Sequence, residues 1–394
     1  MYFFDEKELE ALRALAAKKK FFRYQNAELS ECEIFENNFS KHINVGHSLL
    51  VNSGTNALLL ALLAGKIQPG DEVLIPAYTF VATAAAVVMA GAIPIIVNID
   101  TQLSMDFEDA AKKITLKTKA VILVHMDGLV ANVMAAKTFC EKNKILFIED
   151  TAQAIGGTFK KKHLGTFGSF GCFSLNESKI ISCGEGGILC TDNKDAFQSA
   201  FVLHDTPVQF SPSKKLFLED VKTYIGHSMR VSEIQGVIMQ VQLSRLEKIL
   251  AILRERKKII TSELAGRSIM TIPIGFCADG DCGTAIHFQF SSIEQTLNVT
   301  KALRAQGLAF APVTARPAHA SWKWSHLFGE QGGIQPSRNP FLLSDQKYEY
   351  SNSEVLASID ILSRTIKMDI DLHLSMEETL ELTKKIQAAF GNIA

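Results

Sequence analysis

Three short segments of this chain carry residue types whose spacing suits chemistry. In "NSGTNALLLALLAG" (52–65) a turn of small polar residues and glycine runs straight into an apolar helix. The first backbone N–H groups of such a helix have no partner within it and can cradle a phosphate; Ser53, Thr55 and Asn56 add side-chain donors. The plainer reading is an ordinary helix cap. In "FIEDTAQA" (147–154) an apolar run ends on Glu149 and Asp150. A carboxylate at that place serves as a catalytic group, a metal ligand or a cap, and the lack of an accompanying His or Cys cluster argues against metal. In "GCFSLNESKIISCGEGG" (171–187) Lys179 follows a strand within a polar, glycine-rich stretch. A solvated lysine is the plain outcome. A desolvated one loses proton affinity and attacks a carbonyl carbon as the free amine. The "GEGG" at 184–187 lets the backbone pass close to a bound group.

The elements that must position these segments alternate in type. "EVLIPA" (72–77), "IPIIVNI" (93–99), "AVILVH" (120–125) and "KILFIED" (144–150) read as buried strands, with helical patterns at 82–90 and 132–142 between them. "GCFSL" (171–175) and "GGILCT" (186–191) follow at closer spacing. The alternation predicts an α/β fold: a mainly parallel central sheet, covered on both faces, with ligands at the carboxyl ends of its strands. A long helix begins near Ser232, where "SEIQ" fits a capping box, and its apolar pattern persists towards Leu264. Beyond it come a strand at 285–291, a helix at 294–306 and a last helix at 375–390 capped by Ser375. The aromatic, aperiodic segment 312–350 is too long for a passive connection and reads as a functional loop. The chain so divides into an N-terminal arm (1–25), a large domain (26–265) and a smaller C-terminal α+β domain (266–394).

Composition narrows the function classes. With 41 Lys+Arg against 42 Asp+Glu, the 394 residues carry a net charge of −1, which leaves no electrostatic footprint for nucleic acid or an anionic membrane. The uncharged stretch 80–99 has the length of a membrane span, but Gly91 and Pro94 split it into a helix and a strand. Seven irregularly spaced cysteines suit reduced thiols, and acidic residues from Asp5 to Glu10 do not suit a secretory leader, so a cytoplasmic protein is expected. Cys277 and Cys282 lack the partners of a zinc site, and "FKKKH" (159–163) reads as a solvated hairpin. Trp322 and Trp324 divide between small-domain core and the floor of a sugar pocket. Neither a dinucleotide fingerprint after the first strand nor a P-loop is present.

Taken together, one sheet edge would hold a phosphate cradle, a carboxylate and a nucleophilic lysine. Pyridoxal 5'-phosphate needs these three: an anchor for its phosphate, a lysine for its aldehyde and a carboxylate for its ring nitrogen. The segments "SGTNAL", "PGDEVLIPAYTFVATA", "VHMDG", "EDTAQAIGG", "GTFGSFGCFS", "SKIISCGEGG" and "HSMRVSEIQG" also follow one another in order. In them, and over nearly its whole length, the chain resembles the DegT/DnrJ/EryC1/StrS family of pyridoxal-phosphate sugar aminotransferases. The resemblance implies the aspartate-aminotransferase-like architecture (fold type I), L-glutamate as amino donor, a keto- or aldehydo-sugar as acceptor, and a homodimer. It places the cofactor-binding lysine at Lys179, the ring-nitrogen carboxylate at Asp150 and the glutamine beside the ring oxygen at Gln153. It places the stacking aromatic at Phe80 and phosphate contacts at Thr55, Asn56 and Ser174. In the family a partner-subunit asparagine in a G-x-N-x-R-[ML] segment also reaches the phosphate. Here the segment is "GHSMR", and Ser228, shorter by an amide group, stands in its place.

A narrower resemblance lies in "FFRY" (21–24), "VHM" (124–126), "LHD" (203–205) and "HASWKWSHL" (319–327). These are similar to the branch that aminates the 8-aldehyde of 8-oxo-3,8-dideoxy-manno-octulosonate for lipopolysaccharide, although "NES" before Lys179 departs from it. A sugar acid needs one arginine fork for its carboxylate. Arg23 and Arg316 are the candidates, with His125 as a further substrate residue. The alternatives are a nucleotide-linked keto-sugar or inosose aminotransferase, or a non-catalytic cofactor-binding regulator on the same fold. Relatives that dehydrate sugars carry histidine in place of the lysine, so Lys179 argues against dehydration.

Overall fold

The computed structural model describes residues 2–24, 29–205, 225–267, 269–308, 310–329 and 335–391. Two helices open it, α1 (Glu6–Lys18) and α2 (Glu31–Ile43). Each starts with a capping box, Asp5 with Glu8 and Ser30 with Glu33, that satisfies the first backbone donors. Then follow β1 (His47–Val51), α3 (Gly54–Ala64), β2 (Glu72–Pro76), α4 (Ala82–Met89), β3 (Ile93–Val97), α5 (Phe107–Lys113), β4 (Thr118–Val124), α6 (Val133–Asn143) and β5 (Leu146–Asp150). A two-strand hairpin, β6 (Thr158–Phe159) with β7 (Lys162–His163), leads to β8 (Phe170–Ser174), β9 (Gly187–Thr191) and α7 (Lys194–His204). The basic run 159–163 is this hairpin. The uncharged stretch 80–99 is α4 and β3, and no helix among the described residues is long and apolar enough to cross a membrane.

Seven strands form the large sheet in the order β1-β9-β8-β5-β4-β2-β3. Neighbours from β8 to β3 are parallel, because each is reached by a crossover on a sheet face. Strand β9 is antiparallel to both β1 and β8, since the link from Ser174 to Gly187 contains no helix to carry a crossover. As a result Gly187, the first residue of β9, lies at the same edge as the carboxyl ends of β1, β2, β4, β5 and β8. Helix α3 is apolar all round, and buries Ala57 through Leu62 between sheet and neighbouring helices. Each buried leucine there contributes about 1.5–3 kcal/mol, so the start of α3 is held firmly against that edge.

Helix α8 (Glu233–Leu264) runs 32 residues. Gln235 accepts from the Ser232 backbone N–H at 3.1 Å, as a capping box requires. Its first half packs on α1 and α2 and its second on the last helix. After it, β10 (Met270–Thr271), β11 (Ala285–Phe290), α9 (Ile293–Ala305), β12 (Ala311–Pro312), α10 (Pro340–Leu343), α11 (Leu356–Ser363), β13 (Thr365–Asp369) and α12 (Met376–Gly391) complete the fold. Here β10, β11, β13 and β12 make a four-stranded antiparallel sheet. The described part of segment 312–350 consists of single turns pinned to the exit of β2: Val81 donates to the Ala318 carbonyl and Ser321 to that of Ala77. Trp324 is buried, its indole donating to the Pro317 carbonyl at 2.9 Å. Neither tryptophan lines the cavity at the carboxyl edge of the large sheet.

Candidate active site

A cavity of about 460 Å³ opens at the carboxyl edge of the large sheet. The turn after β1, the N-terminus of α3, the exits of β2, β4, β5 and β8, the 312–350 segment and β13 line it. Of the residues singled out from sequence, Thr55, Phe80, Asp150, Gln153, Ser174, Lys179 and Arg316 all reach its wall.

The α3 end of the cavity is a cradle. Ser53 caps the helix, its hydroxyl accepting from Asn56 N–H at 3.1 Å. The preceding N–H groups, of Gly54 and Thr55, belong to the orphan donors of any helix start. A Cβ on Gly54 would lie 2.9 Å from the Ser174 Cβ, and one on Gly187 2.3 Å from the Ser53 carbonyl oxygen. Only glycine lets these three strand ends close around the turn. Asn56 is not part of the wall; its side-chain amide donates to Asn52 at 2.7 Å.

Strand β5 ends on two carboxylates that point to opposite faces, as successive strand residues must. Asp150 faces the cavity, accepting from Thr83 Oγ1 at 2.8 Å and from Ala152 N–H at 3.1 Å. Burial pushes its carboxyl up, while these hydrogen bonds and the nearby Lys179 pull it down. A carboxylate so placed suits a protonated ring nitrogen. Glu149, on the other face, is fully occupied by the N–H groups of Gly165, Phe167 and Gly168 and by His125 Nε2 at 3.2 Å. Lys179 is lowered from the ordinary lysine range, chiefly by burial, with Asp150 and Asp127 pulling the other way. Phe80 is 45% exposed, its ring centroid 5.3 Å from that of His319, which burial and then Arg316 bring down to about 4.

Two expectations fail in this geometry. Arg23 is not a substrate residue: its buried guanidinium holds both Glu36 oxygens at 2.6 Å and the Leu50 carbonyl at 3.1 Å, away from the cavity. His125 is not one either. It is fully buried, with Ala131 N–H donating to Nδ1 at 3.1 Å and Nε2 turned to Glu149. Ser228 lies outside its own chain's cavity, with its hydroxyl accepting from Arg230 at 3.0 Å.

The residues missed from sequence gather on Asp127. Tyr78 donates to its Oδ2 at 2.5 Å and His287 lies at 3.0 Å; Lys367 stands 2.8 Å and Arg316 3.5 Å from Oδ1. Burial alone would raise this carboxyl, but Lys367, His287 and Arg316 reverse that and hold it well below the usual range. Its backbone has positive φ (52°), and its N–H donates to Oε1 of Gln153, a residue of the cavity wall, at 3.0 Å. Two signals were present: Asp-Gly at 127–128 is a turn dipeptide, and the alternation in "TIKMD" puts Lys367 and Asp369 on one strand face.

Residues 4–339 match the DegT/DnrJ/EryC1/StrS aminotransferase family. The chain belongs to this family. Family relatives include a GDP-perosamine synthase from Vibrio cholerae, 34% identical over 59% of this chain and 62% of that protein. The chain thus spans less than two thirds of that relative's length. A UDP-N-acetyl-3-dehydro-alpha-D-glucosamine 3-aminotransferase from Acidithiobacillus ferrooxidans is 32% identical over 72% of this chain and 74% of that one. Among solved structures, 3-amino-5-hydroxybenzoic acid synthase superposes with a TM-score of 0.81 over 100% of this chain and 98% of the other, at 22% identity. That likeness shows the shared fold type I architecture.

Proposed function

We propose that the chain is a pyridoxal-phosphate-dependent aminotransferase that moves the amino group of L-glutamate to a sugar carbonyl. The observation that carries this is the convergence of Lys179, Asp150 and the glycine-lined start of α3 on one cavity. The donor set fits the cofactor: Thr55, Ser174 and the first N–H groups of α3 for its phosphate, Asp150 for its ring nitrogen, Gln153 for its ring oxygen, Phe80 for its face and Lys179 for its aldehyde. When bound, it supplies an electron sink for the pair left by a broken Cα–H bond.

The chain's own residues do the rest. Lys179, neutral more readily than an exposed lysine, accepts the proton from the Cα of glutamate and returns one to the acceptor carbon in the second half of the cycle. Asp150, held by Thr83 and Ala152, keeps a proton on the ring nitrogen. Phe80 and the 312–350 turns, with Arg316 and His319, roof the cavity and limit water.

For the acceptor we favour the 8-aldehyde of 8-oxo-3,8-dideoxy-manno-octulosonate, on the narrower motifs and on an arginine that lines the cavity, Arg316. The names of the relatives favour the second reading, a nucleotide-linked keto-sugar. The active unit is a homodimer in which Ser228 of each chain approaches its partner's cradle. Incubating the glutamate-loaded enzyme with a panel of sugar acids, nucleotide-linked keto-sugars and inososes, while following release of 2-oxoglutarate and amino sugar, tests all of this. Absence of any glutamate turnover would leave a non-catalytic regulator.

A further inference from the structure

Two cations share one buried oxygen beside the proposed reaction centre. Lys367 Nζ lies 2.8 Å and Arg316 Nη1 3.5 Å from Asp127 Oδ1, and both side chains line the cavity that holds Lys179. Asp127 is almost wholly buried, and its other oxygen is occupied by Tyr78 and His287. One carboxylate oxygen therefore serves two positive charges. Arg316 is only lightly held: Nη1 is buried against Asp127 with no closer partner, Nη2 has only a long contact of 3.4 Å to His319, and the side chain as a whole is part-exposed in the cavity wall. Lys367 is closed there by Asp369, at 2.6 Å, whose side chain is 66% exposed and also lines the cavity. Asp127 and Asp369 thus share the same ammonium, one fixed by four partners and the other solvated.

We infer that Arg316 and Lys367 together form the seat for a substrate carboxylate, and that Asp369 is the internal carboxylate it displaces. Two cations held by one buried counter-ion in a cavity wall form a preorganised anion site, and a planar carboxylate can span a guanidinium and an ammonium with one oxygen each. Asp369 loses little on leaving, because its own side chain is mostly solvated and its carboxylate returns to water, while Lys367 keeps Asp127. Asp127 keeps both cations in place throughout. The inference rests on the aminotransferase reading, in which glutamate and a sugar acid each bring a carboxylate to this one cavity in turn.

Glutarate tests it, since it carries glutamate's carboxylates but no amine and cannot react. Its affinity for the cofactor-loaded enzyme is read by calorimetry. The wild type should bind it, and Lys367→Met and Arg316→Met should each weaken binding roughly tenfold or more. Asp369→Asn, a change at an exposed position that leaves Asp127 paired, should tighten binding severalfold by removing the competitor. Failure of the wild type to bind glutarate, an affinity within twofold of wild type in folded Lys367→Met, or unchanged or weaker binding in Asp369→Asn would overturn the seat. If Lys367→Met does not fold, Asp369→Asn decides alone. The acceptor reading stands or falls separately. Intact glutarate binding effects with amination only of nucleotide-linked sugars would remove the sugar acid and keep the seat. Amination of the octulosonate with no such effects would do the reverse.

Discussion

At the scale of single residues, burial and partners separate the groups that can react from those that only hold. Lys179→Ala should abolish turnover while the phosphate end of the cofactor still binds, because the cradle is untouched. Borohydride reduction of the wild type followed by peptide mapping should label Lys179, and a label on another lysine refutes the assignment. Asp150→Asn should fold normally, since Ala152 N–H can still donate to the amide oxygen and the Thr83 hydroxyl can turn to accept from the amide N–H₂, yet lose roughly a hundredfold or more in rate, as an amide cannot hold the ring proton. Near-normal rates would return Asp150 to the part of a turn cap. Arg23 belongs to the other class. Arg23→Ala leaves Glu36 buried without its counter-charge, which typically costs about 3–5 kcal/mol. The effect should appear as a large drop in melting temperature; an unchanged melt with a raised KM for the sugar would restore a substrate role.

Elements matter here by what they bring to one edge. The apolar α3 sits rigidly, so the position of its first turn is set by burial of its leucines and not by the turn itself. The reversed β9 then delivers Gly187 against the Ser53 carbonyl. Gly187→Ala places a methyl where only 2.3 Å is available, so the turn must shift. We expect a destabilisation of about 1–3 kcal/mol and cofactor binding weakened by more than the melting shift alone would cause. Fluorescence titration with the cofactor, set beside a thermal melt, measures both. Unaltered affinity would mean that the cradle does not hold the phosphate. The 312–350 segment shows the same principle in another form, since its turns have no periodicity yet are tied by backbone bonds to the exit of β2 and so carry Arg316 and His319 to the cavity.

At the scale of the whole molecule, one face carries exposed apolar side chains. Phe21, Phe22, Ile225 and Ile234 are all exposed, and they cluster around the "GHSMR" segment, where Glu233 N–H donates to the Phe21 carbonyl and Arg230 lies over the Phe22 ring. An apolar patch next to Ser228 agrees with a second copy docking there and completing each cradle. Light scattering of the active enzyme should give the mass of two chains, and a fully active monomer would refute it.

What could be read from sequence was whatever depends on neighbours along the chain. Strand and helix alternation follows from short-range periodicity, so the mainly parallel sheet and its active edge were legible. Lys179, Asp150 and the SGTN turn were legible too, because each stands at a junction that local signals mark. Which side a residue faces was legible only where period-two alternation applied. The fate of Arg23 and His125 was not, because nothing nearby in sequence marks Glu36 or Glu149 as the group that occupies them. Asp127 is the clearest case. Its four side-chain partners, at positions 78, 287, 316 and 367, meet only when the four-stranded sheet and the 312–350 turns close over the large sheet. That closure is driven by burial of apolar surface, which is non-directional, so the pattern of charges it brings together belongs to the tertiary structure alone.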